Sequence, residues 1–311
     1  MTDHTEAVLN SLRTMERHLD SEYVDDLEET LASVSREPRF GMMPEPGVVA
    51  VISDSQGVAK FYEERAKVFT PTASRITAQL ATDWYVFLEN APSRVNMKTG
   101  EETTVQTTTL FPIAADGIRG EFLWERDPSA NPVSEFRLDN AVSHVPHISV
   151  RNLSVHEEFL GAIIRGDLET LASMIAPKCI WAVRNYLPEA GSRAMVKLQG
   201  IDAVLANFRA WIETFEIERI SILNRLATDW YVFAEELLIV RPKVGREKEQ
   251  PVQYRKASIY PINPSGSIEG ELGFGTDIEP ASPSSHLTLG AAFWQRIDHM
   301  RPKGPALKRR D

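Results

Sequence analysis

Proton-transfer chemistry needs a histidine or carboxyl group held out of water, where burial and neighbouring charge bring its pKa towards neutrality. The sequence offers two sets of such residues. In the first half stand His18, Glu89 and Glu121, and the same half holds the aromatic and apolar residues Phe61, Tyr85, Phe87 and Leu123 and the hydroxyl of Thr109. In the second half, Lys256 with Glu235 and Glu271, and Tyr231, Phe233 and Tyr254 beside them, has the composition of a buried ion-pair network. Such a network is either catalytic or structural. Arg184 and Tyr186 form a third pair, a guanidinium and a phenol able to bind a carboxylate or phenolate. Plain alternatives stand beside each reading. His18 could lie on a helix exterior with the glutamates paired to arginines, and Arg184 and Tyr186 could be surface loop residues.

Other chemistries are poorly served. Cys179 is the single cysteine, so there is no disulfide framework, and in Lys178-Cys179-Ile180-Trp181 it reads as a small buried residue at a strand start. His144 and His147 lie in a Pro-containing extended segment with no cysteine near, and His286 and His299 stand far from them, so no metal is expected. No glycine-rich phosphate loop, Gly-x-Ser-x-Gly elbow or dinucleotide fingerprint occurs, and no cofactor is expected. A net charge of −10 opposes nucleic-acid binding, because phosphate contacts need clustered Lys and Arg. The one basic cluster (Arg301, Lys303, Lys308, Arg309 and Arg310) reads as a solvated tail. There is no apolar run of membrane-spanning length, and the opening Met1-Thr2-Asp3-His4 is too polar for a signal peptide. A soluble, cytoplasmic protein is the expectation.

What must position these residues is a duplicated unit. Leu80-Ala81-Thr82-Asp83-Trp84-Tyr85-Val86-Phe87 recurs letter for letter at Leu226 to Phe233. In the same order around it, Asp26 to Ser33 matches Asp167 to Ser173 with one deletion. Leu110-Phe111-Pro112-Ile113 matches Ile259 to Ile262, and Asp116 to Phe122 matches Gly266 to Leu272. The 311 residues therefore divide into domains at 1–148 and 149–311, with the junction near 140–152. In each copy the periodicity predicts three helices and then long strands. The helices fall near 6–19, 24–34 and 58–68, and again near 155–164, 168–175 and 203–214. That order predicts an α+β fold with helices on one face of an antiparallel sheet.

Gly166-Asp167-Leu168-Glu169 after a first helix, a short strand bearing Trp181, and a helix from Gly200 to Phe208 resemble the nuclear-transport-factor-2-like, polyketide-cyclase-like family. Phe61-Tyr62 is the counterpart in the first copy. That family includes ketosteroid isomerases, scytalone dehydratase and limonene-epoxide hydrolase. The resemblance implies two cone-shaped α+β barrels in tandem, each a curved sheet wrapped over helices with a pocket at one end. Laid on the isomerase pattern, Tyr85, Phe87 and Glu89 face inward, with Tyr231, Phe233 and Glu235 as equivalents. Thr107, Thr109, Glu121 and Leu123 follow, matched by Lys256, Ser258, Glu271 and Gly273. The outer sheet face would then carry Trp84, Val86, Trp230 and Val232, a patch implying that each sheet packs on the other copy or on a second chain, with a homo-oligomer through sheet faces expected.

The departures from the pattern are as informative. Met42 and Val183 stand where an isomerase carries its general base, and neither takes a proton. His18 and Phe159 replace its tyrosine donor, and Thr109 and Ser258 its buried carboxylic acid. The resemblance therefore implies a cofactor-independent enzyme, of lyase or dehydratase type, acting on a small apolar or aromatic molecule. Lignin-derived diarylpropanes, which lose water and formaldehyde in this family, are one such substrate class. The alternative is a non-catalytic binding or assembly protein with both cones filled.

Overall fold

The computed structural model describes residues 2–45, 48–126, 146–187, 195–243, 250–281, 293–295 and 299–300. The chain forms two compact units, Met1–Ser143 with Gly290–Asp311, and His144–Leu289. The first unit contains α1 (Thr2–Tyr23), α2 (Leu27–Ala32), β1 (Phe40–Glu45), β2 (Val48–Ile52), α3 (Ser55–Val68), β3 (Phe69–Ala81), β4 (Tyr85–Asn96), β5 (Glu102–Thr104), β6 (Gln106–Ala114), β7 (Gly117–Ile118) and β8 (Phe122–Arg126). The second contains α4 (Pro146–Arg165), α5 (Leu168–Met174), β9 (Ile175–Arg184), β10 (Met195–Gln199), α6 (Ile201–Thr214), β11 (Phe215–Ala227), β12 (Tyr231–Pro242), β13 (Val252–Pro261), β14 (Ile268–Gly275) and β15 (Glu279–Pro280). Two last short strands, β16 (Phe293–Gln295) and β17 (His299–Met300), pair with β3. β16 and β17, expected in the second domain, therefore extend the sheet of the first unit. His144, His286 and the basic residues from Arg301 onward lie outside the described residues.

Both sheets follow one plan. The first runs β16-β3-β4-β6-β8-β1-β2 and the second β10-β9-β14-β13-β12-β11. Pairing is antiparallel except for β1 with β8 and β9 with β14, which are parallel. Duplicated local chemistry explains the matching sequences. Asp26 accepts the Glu29 backbone N–H and Asp167 that of Thr170, both at 3.0 Å, so the same side chain caps α2 and α5. The repeated Ala-Thr-Asp-Trp-Tyr is a turn. The Thr82 backbone N–H donates to the Tyr85 carbonyl, and Thr228 to Tyr231, each at 2.9 Å. Each Trp carbonyl then accepts from the next strand, from Ile113 and from Ile262, at 2.8 Å. The long edge strands β3 and β11 each carry two register shifts, which bend a strand and let its sheet wrap over the helices.

The inner faces pack on the helices: Val86, Leu88 and Phe111 meet Met15 and Leu19, and Val232, Ala234 and Tyr260 meet Phe159 and Ile163. This corrects the inferred phase of β4 and β12. Leu88 pairs with Thr109, which pairs with Leu123, and cross-strand partners share a face. Since Thr109 and Leu123 point inward, Leu88 does too, and Tyr85, Phe87 and Glu89 point outward. The same register turns Tyr231, Phe233 and Glu235 outward, while Val86 and Val232, expected outside, lie inside. The outer residues are nonetheless buried: Tyr85, Phe87, Tyr231 and Phe233 have no exposure and Trp230 has 2%. Trp84 is half-buried. No helix among the described residues is long and apolar enough to cross a membrane.

Asp167→Ala removes the α5 cap, and an unfolding free energy lower by about 1 kcal/mol is expected, read by urea titration of the unit containing Trp181. No change would mean that packing of Leu171 alone holds this helix.

Candidate functional site

The first unit holds a cavity of about 610 Å³. Its walls are largely apolar, with Leu19, Met42, Phe61, Leu88, Phe111 and Leu123 among them, and Thr107 and Thr109 add hydroxyls. Met42 does occupy the wall where a proton acceptor was sought, and its thioether has no basicity to offer.

The acidic and basic groups on the wall are Glu22, Glu64 and Arg65 from the helices, Glu121 just before β8, and Arg94 and Glu125. Arg94 and Glu125 pair through two hydrogen bonds of 2.8 and 2.6 Å, and Glu64 accepts from Lys67 at 2.8 Å. Glu22, Arg65 and Glu121 belong to a cluster. Tyr62 Oη donates to Glu121 at 2.9 Å, and His18 Nε2 lies 3.1 Å from Tyr62 Oη and 3.2 Å from Glu22. Arg65 reaches the other Glu22 oxygen at 3.1 Å. On the far side of the imidazole, Nδ1 is 2.7 Å from Ser33 Oγ, whose own proton goes to the Thr30 carbonyl. Nδ1–H must therefore donate to Ser33, and Nε2 faces one carboxylate and one phenol already committed as a donor.

Charge follows from this geometry. Burial pushes Glu121 up to about 7, Glu22 adds to the rise, and His18, Arg65 and the Tyr62 hydrogen bond oppose it. Burial would also raise Glu22, but Arg65 and then His18 outweigh it and bring that carboxyl down to about 2. The Tyr62 phenol is held well above its ordinary range, first by burial and then by Glu121, so it remains a donor. His18, Glu22 and Glu121 bring their atoms within 4.8 Å of one another, close enough for a metal's ligand set. Arg65 pairs with Glu22, and Tyr62 bridges His18 to Glu121, so these groups are joined to one another by an ion pair and hydrogen bonds.

The second unit answers the same scaffold differently. Its cavity is only about 90 Å³. The cross-strand pair Asn90–Thr107 of the first sheet has become Glu236–Lys256, filling the space with longer, charged side chains. Lys256 sits 2.9 Å from Glu271 and 3.2 Å from Glu236. Glu271 also accepts from Trp181 at 2.7 Å and Ser258 at 2.8 Å, and Glu236 from Tyr260 at 2.9 Å, with His156 at 3.3 Å. Burial alone would lower the Lys256 ammonium and raise Glu236. The two glutamates instead hold Lys256 well above its usual range, and Lys256 holds Glu236 near 2. Groups so firmly charged neither form a Schiff base nor trade protons near neutrality.

Arg184 and Tyr186 line this small cavity but are committed to their own backbone. Arg184 donates to the Gly275 carbonyl at 2.7 Å and pairs with Asp277; Tyr186 donates to the Thr276 carbonyl at 3.0 Å and stacks on Tyr254 at 3.8 Å. A Cβ at Gly275 would lie 1.8 Å from Tyr186 Oη, so only glycine admits this approach. Glu235, outside, accepts from Asn224 at 2.6 Å. Burial raises the Cys179 thiol to about 11, which leaves it inert.

Of the expected first-unit residues, Phe61, Thr109, Glu121 and Leu123 are thus gathered on one cavity, with His18 behind the wall; Tyr85, Phe87 and Glu89 are not. The sequence reading missed Glu22, Tyr62 and Arg65, and His156, Glu236 and Tyr260 in the second unit. Spacing held a signal for the first three. His18 and Glu22 are four apart on α1, and Tyr62 and Arg65 three apart on α3, so each pair shares a helix face.

Three helices with one largely antiparallel sheet, met twice along the chain, give each unit the α+β plan of a nuclear-transport-factor-2-like fold, here in tandem. No protein-family model matches the sequence, and no curated protein matches it. Solved structures are similar to part of it. A Mycobacterium tuberculosis LEH-like epoxide hydrolase aligns at 12% identity and a TM-score of 0.34, over 41% of this chain and 84% of its own. An NTF2-like protein from Burkholderia xenovorans aligns at 17% and 0.32, over 42% and 91%. PrhC from Penicillium brasilianum aligns at 12% and 0.35, over 42% and 82%. These are likenesses of fold alone.

Two outcomes are expected. Glu121 binds its proton more tightly in the folded state than at its ordinary value of 4.5, so it contributes stability below pH 4.5 that is lost as pH rises through 7. The loss is up to about 3 kcal/mol at 1.36 kcal/mol per unit. Glu121→Gln abolishes that loss, so its melting temperature relative to wild type should be higher at pH 8 than at pH 5; an equal difference at both would refute the raised carboxyl. Lys256→Ala strands two buried carboxylates and should cost about 3–5 kcal/mol. A near-neutral effect in a denaturant melt would show that water reaches the network.

Proposed function

We propose that the first unit is a cofactor-independent enzyme site that moves protons on a small apolar or aromatic molecule, in a reaction of the lyase or dehydratase type. The observation that carries this reading is Glu121. It lies on the wall of a 610 Å³ apolar cavity, 3% exposed, hydrogen-bonded to Tyr62 and raised to about 7. A carboxyl of that kind is protonated often enough at neutral pH to act as an acid, and is basic enough afterwards to act as a base. In a dehydration, Glu121 gives its proton to the departing hydroxyl as the carbon–oxygen bond breaks. The resulting carboxylate then takes the proton from the adjacent carbon, so water leaves and Glu121 is restored. Aromatic and aliphatic walls favour a substrate that buries rings, at roughly 25 cal/mol per Å² removed from water. Diarylpropane-like compounds belong to that class. The second unit, with its cavity filled by the Lys256 network, supports a structural role for that half.

The test is turnover of a panel of hydroxylated aryl and terpenoid compounds, with Glu121→Gln expected to lower kcat by roughly 10² or more while retaining a normal melt. If wild type turns over none of the panel yet is stabilised by its members, the cone binds and does not catalyse.

A further inference from the structure

The clustering of Glu22 and Glu121 calls for an explanation beyond the general-acid role, on which the following inference rests. A second carboxylate within 4.8 Å of an acid, in a largely buried cluster, opposes release of the acid's proton. Glu22 is not there as an accident of helix phase. It is gripped from both sides, by Arg65 at 3.1 Å on one oxygen and His18 at 3.2 Å on the other. His18 is itself fixed by Ser33, and the Glu121 backbone is fixed by Gly41 N–H donating to its carbonyl at 2.9 Å. We propose that Glu22 is a positioning residue whose clamped negative charge keeps Glu121 in its proton-bearing form, with Tyr62 as the opposing donor that eases the proton's release.

Every charged or titratable group facing Glu121 has a definite sign in this scheme. From α1 come Glu22, which retains the proton, and His18, which favours its loss. From α3 come Arg65 and Tyr62, which also favour its loss. Glu64 is elsewhere on the cavity wall, and Glu125 is neutralised by Arg94. The second unit supplies a natural contrast. By the repeat that matches His18 to Phe159, the counterpart of Glu22 is Ile163, a core residue. There Glu271, the counterpart of Glu121, meets Lys256 at 2.9 Å, and the neighbouring carboxylate, Glu236, is held by the same lysine at 3.2 Å. With a cation in direct contact, the same wall position is held in an ion pair.

The experiment is a carbon-13 NMR titration of the Glu121 carboxyl in the full chain, in wild type and three variants, beside the pH profile of turnover where a substrate is in hand. Wild type is expected to titrate near neutrality. Glu22→Gln removes the like charge and frees Arg65 to act on Glu121, so the midpoint should fall by about one unit or more. Tyr62→Phe removes the stabilising donor, so it should rise. Glu22→Asp keeps the charge and should restore the wild-type value. The alkaline limb of the pH profile should move with each midpoint. A neutral-range midpoint that Glu22→Gln leaves in place or raises overturns the role of Glu22 while leaving the acid itself intact. A wild-type carboxyl that titrates in the ordinary range removes the general-acid reading, and this inference with it. A variant that fails to fold is recognised by its melt, and Glu22→Asp and Tyr62→Phe then decide the sign alone.

Discussion

Two carboxyl groups sharing a largely buried cluster cannot both ionise freely, and much of the first unit follows from how that conflict is resolved. Glu22 takes the charge because Arg65 and His18 are placed to hold it, and Glu121 is left as the group that titrates. The resolution requires three elements in fixed relation. The face of α1 presents His18 and Glu22, that of α3 presents Tyr62 and Arg65, and the start of β8 presents Glu121. The Ser33 contact that orients His18 lies where α2 ends, so the Asp26 cap that starts α2 also contributes to the imidazole's aim.

The two units show how little the fold dictates of chemistry. Both place a glutamate, Glu121 or Glu271, at the same point of the sheet, and both place a cross-strand pair opposite it. With Asn90 and Thr107 the pair is short and neutral, and space remains. With Glu236 and Lys256 it is long and charged, and the space is consumed. Trp181, Ser258 and Tyr260 complete the second network, each donating to one of its carboxylates. One duplicated scaffold thus holds an open cavity with a titratable wall and a closed core with permanently charged pairs.

The duplication, the helix positions and the α+β layering were all legible because they rest on local signals: a repeated turn, repeated caps and helical periodicity. Glu121, Thr109, Leu123 and Phe61 were legible as cavity residues through the resemblance to the isomerase pattern, not through a local signal. The phase of β4 and β12 was not. Alternation of apolar and polar residues reveals a strand's inner face only when the other face meets water, and here both faces are buried. Val86, Phe87, Leu88 and Glu89 are all nearly inaccessible, so composition does not distinguish one side from the other. Glu22, Tyr62 and Arg65 were hidden differently. On a helix surface a glutamate and an arginine look like solvated charges, and only the packing of α1 against α3 and the sheet brings them to one carboxyl. His156 and Glu236 escaped because their significance depends on Lys256, which lies far along the sequence.

The pairing of β16 and β17 with β3 carries a consequence for how the protein is made. The edge of the first sheet is sealed by segments more than 200 positions downstream of it, translated only after all of the second unit. On the ribosome the first unit therefore emerges with β3 as a bare edge, and it stays so while the second unit, continuous in sequence, is synthesised. Backbone donors and acceptors along that edge invite mispairing with neighbouring nascent chains. The bulges in β3, already needed to curve the sheet, also twist that edge away from flat pairing, so a feature that shapes the cavity doubles as protection during synthesis.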